Sequence, residues 1–165
     1  MRLVKICYNF QKRLSILMIK KSLLFIVILL IGIQFIPLDR TNPPIDEKIA
    51  LHTDPKVMQI LHKSCYDCHS NETKWSKYAY IAPLSFGVVS HVEEGRAALN
   101  FSRYKTISKE IKILRLQKAI RTLKLNTMPL PSYILFHEDA KLSPNDKKIL
   151  TQWFQTELKR VQSKQ

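Results

Sequence analysis

Cys65, Cys68 and His69 are the residues of this chain whose types and spacing could do chemistry, held together in the run Cys65-Tyr66-Asp67-Cys68-His69. Two thiols three positions apart can add to the two vinyl groups of a haem, and the histidine that follows can reach its iron. A haem iron takes a strong nitrogen donor on its proximal side, so C-x-x-C-H is a nearly complete half-site for one covalently attached haem c. Two other readings use the same residues. A structural zinc site needs four ligands, commonly from two cysteine pairs, and the only further cysteine is Cys7. A redox-active thiol pair needs a thioredoxin-like strand-to-helix setting, whereas the flanking residues read as helix and loop. Haem attachment is the reading that employs the trailing histidine.

His69 would fill one axial position of the iron and leaves the other to be found. Met128, in the proline-stiffened run Asn126-Thr127-Met128-Pro129-Leu130-Pro131-Ser132-Tyr133, is the expected thioether donor. A methionine is more often core filler than ligand, but one held between prolines has no helix face to pack from. His91 is the alternative distal ligand, with His137 or an open position behind it. Trp75 and Tyr80, aromatic rings with polar handles, are candidates for the haem edge or the propionates; their bland alternative is ordinary core packing.

The elements that must position these groups read as helices. Three glycines, eight prolines and apolar residues at helical rather than alternating spacing predict an all-α domain. Asp54 with Pro55 should cap a helix carrying Val57, Ile60 and Leu61 into the motif. Pro83 should open a second one to about Leu99, with Leu84, Val88, His91 and Val92 near one another. Residues 106 to 125 should form a third, with Ile111, Leu114, Ile120 and Leu123 inward and Lys112, Arg115, Lys118, Arg121 and Lys124 on a basic face. Ser143-Pro144-Asn145-Asp146 should cap a last helix to about Val161, with Ile149, Leu150, Trp153, Phe154 and Leu158 inward. This order of attachment motif, helix, methionine loop and aromatic terminal helix is that of a cytochrome c-like domain.

A membrane segment precedes it. Residues 23–38 are apolar apart from Gly32 and Gln34 and follow Lys20-Lys21. Sixteen helical residues span about 24 Å against a hydrocarbon core of roughly 30 Å, so flanking groups must snorkel or the bilayer must thin. No A-x-A-like cleavage site is visible, which favours an uncleaved anchor over a cleaved signal peptide. Positive charge before the segment puts residues 1–22 in the cytoplasm, with translation starting at Met1 or at Met18. The rest then lies beyond a bacterial inner membrane, in the periplasm, where haem is joined to such motifs. Residues 39–53, with Asn42-Pro43-Pro44, read as a linker, and 54–162 as the haem-binding domain.

The 165-residue chain carries a net charge of +14, and beyond residue 40 basic residues still exceed acidic ones by eight. Such an excess favours acidic partners, but no nucleic-acid module signature is present. An acidic redox partner protein is therefore expected, and the inner membrane through the anchor.

Beyond the pentapeptide, the runs Cys65-Tyr66-Asp67-Cys68-His69-Ser70-Asn71-Glu72-Thr73-Lys74-Trp75, Tyr80-Ile81-Ala82-Pro83, His91-Val92-Glu93-Glu94-Gly95-Arg96, Leu99-Asn100-Phe101-Ser102 and Met128-Pro129-Leu130-Pro131-Ser132-Tyr133 resemble the haem-binding domain proteins common in Bacteroidetes. The resemblance covers about residues 40–160, in the same order. It implies a membrane-anchored, periplasm-facing monohaem domain with Cys65 and Cys68 attached to haem and His69 on the iron. Arg96, inside one of these runs, is a further candidate contact for the haem edge or propionates. One departure is visible: relatives usually carry an acidic helix before the Met-Pro-Leu-Pro loop, where Lys and Arg dominate here. The expected function is single-electron transfer through a His/Met-ligated haem, with no substrate chemistry; the alternative is a haem-based redox or gas sensor, or a small peroxidase, with an open distal site.

Overall fold

The computed structural model describes residues 2–163, with side chains from residue 11 onward; the side chain of Cys7 lies outside the described residues. Among these residues the regular structure is helical throughout, without strands, as the apolar spacing requires. The helices are α1 (Arg2–Gly32), α2 (Pro55–Ser64), α3 (Tyr66–His69), α4 (Leu84–Ala98), α5 (Lys109–Lys124), α6 (Pro131–Ile134) and α7 (Pro144–Ser163), with short 3-10 turns between several of them.

The chain divides into two compact units. One holds the residues up to Asp39 together with Ser76–Val88; the other holds Arg40–Trp75 and Val89–Gln165. In the first unit, α1 runs without a break past residue 22, so the basic and apolar stretches share one helix. Its stretch Gln11–Phe35, 25 residues, is long and apolar enough to cross a membrane. That is about 37 Å at 1.5 Å per residue, more than the 23–38 stretch alone would give, because residues 11–22 join the helix. Pro37, which excludes further helix, lies just past its end.

The second unit is built on α2, α5 and α7, with α5 packed along α7 and α2 against it. Asp54 caps α2, accepting from the backbone N–H of Lys56 (2.8 Å) and Val57 (3.3 Å). In α7, Ser143 Oγ accepts from the Asp146 N–H at 3.0 Å while the Asp146 carboxylate accepts from the Ser143 N–H at 3.2 Å, a reciprocal capping box. Leu61, Leu116 and Leu150 are fully buried at its centre, beside Tyr66, Phe101, Tyr104 and Phe154. Burying each such side chain contributes about 1.5–3 kcal/mol before entropy is counted.

One expected face is corrected. In α5 the inward stripe is Ile113, Leu116, Ile120 and Leu123, while Ile111 and Leu114 are 44% and 61% exposed. Leu114 and Leu116 are about 200° apart on a helix with 3.6 residues per turn, so only one of the two can face inward. In α4 the buried residues include Ser85, Val89 and Val92, and Leu84 and His91 are exposed.

The expected linker is also more than a linker. Arg96, on α4, donates to the carbonyls of Ser70 (2.8 Å) and Thr41 (3.2 Å), to Asn42 Oδ1 (2.7 Å) and to Thr73 Oγ1 (2.9 Å). Asn42 and Asn71 donate in turn to the Thr73 and Pro44 carbonyls. Residues 41–44 are thereby fastened to the loop that follows the motif.

Candidate functional site

A cavity of about 290 Å³ lies inside the second unit, close to the lower end of the roughly 300–1,000 Å³ typical of small-molecule sites. The motif lines it with Cys65, Asp67, Cys68 and His69, preceded by Ser64 at the end of α2. Helix α4 contributes His91, Glu94, Gly95 and Ala98; α5 contributes Arg115, Lys118, Ala119, Thr122 and Leu123; the proline loop contributes Met128, Pro129 and Leu130. Leu99, Phe101, Tyr133 and Phe154 complete a mostly apolar lining.

The motif is short helix because its backbone closes on itself: the N–H groups of Cys68 and His69 both reach the Cys65 carbonyl, at 3.2 and 2.9 Å. Tyr66 points away into the core and stacks on Phe101. Cys65 and Cys68 are free thiols, half-buried, with both side chains on the cavity wall. Burial, helped by its neighbour Cys68, pushes the Cys65 thiol up to about 12. Burial and the Asp67 carboxylate push Cys68 up to about 11, against the pull of Arg96. Both sulfurs are therefore protonated at neutral pH.

His69 Nδ1 lies 2.9 Å from the Leu99 carbonyl. A carbonyl only accepts, so Nδ1 carries the proton and Nε2 keeps its lone pair for a metal, the usual orienting contact of a ligating histidine. Burial holds the imidazole below its ordinary value, outweighing the Leu99 bond, and keeps the ring neutral. The approach of α4 to the motif depends on Gly95. A Cβ there would sit 2.4 Å from the Cys68 carbonyl oxygen and 2.9 Å from Cys68 Cβ.

Asp67 ties the proline loop to the motif. Its carboxylate accepts from the Tyr133 hydroxyl at 2.7 Å and from the Lys74 N–H at 3.1 Å. Asn126 ends α5 in the left-handed region (φ 56°), a conformation asparagine tolerates, and turns the chain toward Met128. The Thr127 N–H returns to the Thr122 carbonyl at 3.0 Å.

Cys65, Cys68, His69, Met128 and His91 are thus brought to one cavity, Met128 half-buried and His91 exposed. Three other candidates are not on its wall. Arg96 spends its guanidinium on the linker and motif carbonyls described above. Trp75, half-buried, has its indole N–H enclosed without a hydrogen-bond partner. Tyr80 belongs to the first unit and is 57% exposed. His137 is off the wall as well, its ring stacked on Tyr133 at 4.3 Å. The cations that do line the cavity, Arg115 and Lys118, belong to the basic face expected of α5; the phase of α5, fixed by Leu116, brings them there.

The chemistry of this donor set is specific. Among the described residues no three His, Cys, Asp or Glu side chains form a group able to hold a metal ion, so they assemble no four-donor zinc site. One oriented imidazole, two thiols and a thioether on apolar walls suit a group that brings its own equatorial donors. Ser64 adds to the fit: its hydroxyl is buried on the cavity wall without a partner, an orphan that a polar edge of a guest would satisfy.

These features define an all-α protein built to hold an apolar prosthetic group. The chain belongs to the haem-binding domain family, whose model matches residues 28–156. No curated protein and no solved structure matches it.

Proposed function

We propose that the protein is a membrane-anchored, periplasm-facing electron carrier of cytochrome c-like type, holding one haem c through Cys65 and Cys68, with His69 as proximal and Met128 as distal ligand. The observation that carries this reading is the convergence of both thiols, the oriented imidazole and the Met128 loop on one apolar cavity. The bound haem would supply a one-electron ferric/ferrous couple.

The chain's own residues do the rest. The Leu99 carbonyl fixes the proton on His69 Nδ1 and aims Nε2 inward. Tyr133, through Asp67, holds the loop that presents Met128. Arg115 and Lys118 supply positive charge for the propionates, while Leu123, Leu130 and Phe154 keep water from the iron. Methionine ligation raises the potential above that of a two-histidine site. The N-terminal side of α1, where Lys12, Arg13, Lys20 and Lys21 lie, faces the cytoplasm on this reading. The remaining basic face of α5 is the surface offered to an acidic redox partner, an interaction that should weaken with salt.

Mass spectrometry of the protein from its native host tests the attachment. One added haem mass on the peptide containing Cys65 and Cys68 is expected, and two free thiols with no added mass would refute it. Met128→Ala should abolish the far-red absorption band of methionine-ligated ferric haem while leaving the mass unchanged. Rapid carbon monoxide binding by the reduced wild type would reassign the protein to the sensor or peroxidase class.

A further inference from the structure

Gln34 is the amide in an otherwise apolar helix end, and such a group is costly in hydrocarbon unless it is paired. Its Nε2 donates to the Leu30 carbonyl and to the Ala82 carbonyl, each at 3.0 Å, and its Oε1 accepts from the Ala82 N–H at 3.0 Å. One backbone residue of the segment Ser76–Val88 is therefore fastened by two bonds to the last turn of the apolar helix, within the same compact unit. Around this junction the large apolar side chains are turned outward. Tyr80, Ile81 and Leu84 are 57%, 55% and 51% exposed, and Phe35 and Ile36 at the helix end are 81% and 49% exposed.

We propose that Tyr80, Ile81 and Leu84 form a second membrane contact, seated in the headgroup–acyl boundary beside the outer end of α1. The proposal rests on the reading of α1 as a spanning helix. If Gln34 is at the end of the span, its two bonds leave Ala82 no other depth. The neighbouring apolar residues then continue the apolar surface of the helix into the interface. Tyrosine suits that layer because its ring prefers the apolar side and its hydroxyl the wet side. The same seat gives Tyr80 an environment that the haem cavity does not.

Lipid photolabelling of the full-length, haem-loaded protein tests this. The protein is placed in phosphatidylcholine vesicles containing a phospholipid with a diazirine either near the headgroup or at the acyl end, and adducts are located by peptide mass spectrometry. The shallow probe should label residues 78–86 several-fold more than the deep probe does, and both should label Leu23–Phe35. Leu114, 61% exposed on α5, is the comparison for an apolar side chain in water and should stay unlabelled. Ile81→Ser combined with Leu84→Ser, both at exposed positions, should lower the adducts at 78–86 without changing those on α1. Labelled α1 with unlabelled 78–86 would overturn the proposal and leave the spanning reading intact; an unlabelled α1 would overturn both. Labelling of 78–86 no stronger than that of Leu114 would also overturn it.

Discussion

Gly95→Ala is a one-carbon change whose effect can be worked from the distances around it. The added Cβ would lie 2.4 Å from the Cys68 carbonyl oxygen and 2.9 Å from Cys68 C and Cβ. Ordinary contact begins near 3.4 Å, so α4 and the motif must separate by about 1 Å, and the atoms met are mostly rigid backbone. Overpacking of this kind costs about 1–3 kcal/mol, occasionally more. Opposing it, alanine is better than glycine inside a helix by about 1 kcal/mol. With the overlap at the severe end, a net loss of about 2 kcal/mol is expected, a factor of roughly 30 in the folding equilibrium. At Gly87, in the same helix, an added Cβ would meet nothing within 4 Å, so Gly87→Ala feels the propensity alone and should gain up to about 1 kcal/mol. Urea unfolding of the haem-free full-length proteins followed by circular dichroism gives both numbers. Haem content per mole should fall in Gly95→Ala, because the displaced α4 carries Leu99 away from His69. A Gly95→Ala midpoint at or above that of Gly87→Ala would refute the close approach of α4 to the motif and the reasoning built on it.

Three further outcomes are expected. Tyr133→Phe removes the bond to Asp67 and should loosen the Met128 loop; imidazole should bind the ferric haem up to about tenfold more tightly, since a bond to a charged group is worth roughly 1.5–3 kcal/mol and this one is only partly buried, and unchanged affinity would dismiss Tyr133 as a positioning residue. Buried Glu157 accepts from Tyr104 (2.8 Å) and from Arg160 (2.6 Å); burial opposes its charge, but these partners prevail and hold its carboxyl below the ordinary range. Its contribution is therefore complete above the unfolded value of about 4.3 and is lost as pH falls through the lower folded value, so Tyr104→Phe should cost about 1–3 kcal/mol at pH 7 and flatten the decline in urea midpoint below about pH 4.3. Asp54→Ala removes the cap of α2 and should lower stability by about 1 kcal/mol in the same unfolding assay, with no change in the haem spectrum.

What the sequence disclosed and what it concealed separate by range. The C-x-x-C-H run, the Asp54 and Ser143 caps and the inward face of α2 are local features, written within a few positions of one another. Their physical causes, a backbone turn or a helical stripe, act over the same few positions. The cavity wall is different. Arg115 and Lys118 reach it because α5 is rotated by the burial of Leu116, and a helix with apolar residues on several sides does not announce its phase. Arg96 looks like a partner for an anion until its four acceptors, drawn from residues 41–42 and 70–73, are assembled around it. Ser76–Val88 belongs to the unit of the apolar helix, joined to it by contacts such as Gln34 with Ala82, 48 positions apart, and no periodicity records that.

The two letters that the attachment pattern leaves blank are not blank here. Tyr66 is packed under Phe101, and Asp67 receives both a loop tyrosine and a backbone N–H. A pentapeptide grafted from another haem protein would preserve the spacing and lose the core stacking on one side and the loop tether on the other. In this fold the motif is a keystone whose middle is as specified as its ends, and its tolerance to exchange should be far narrower than its pattern implies.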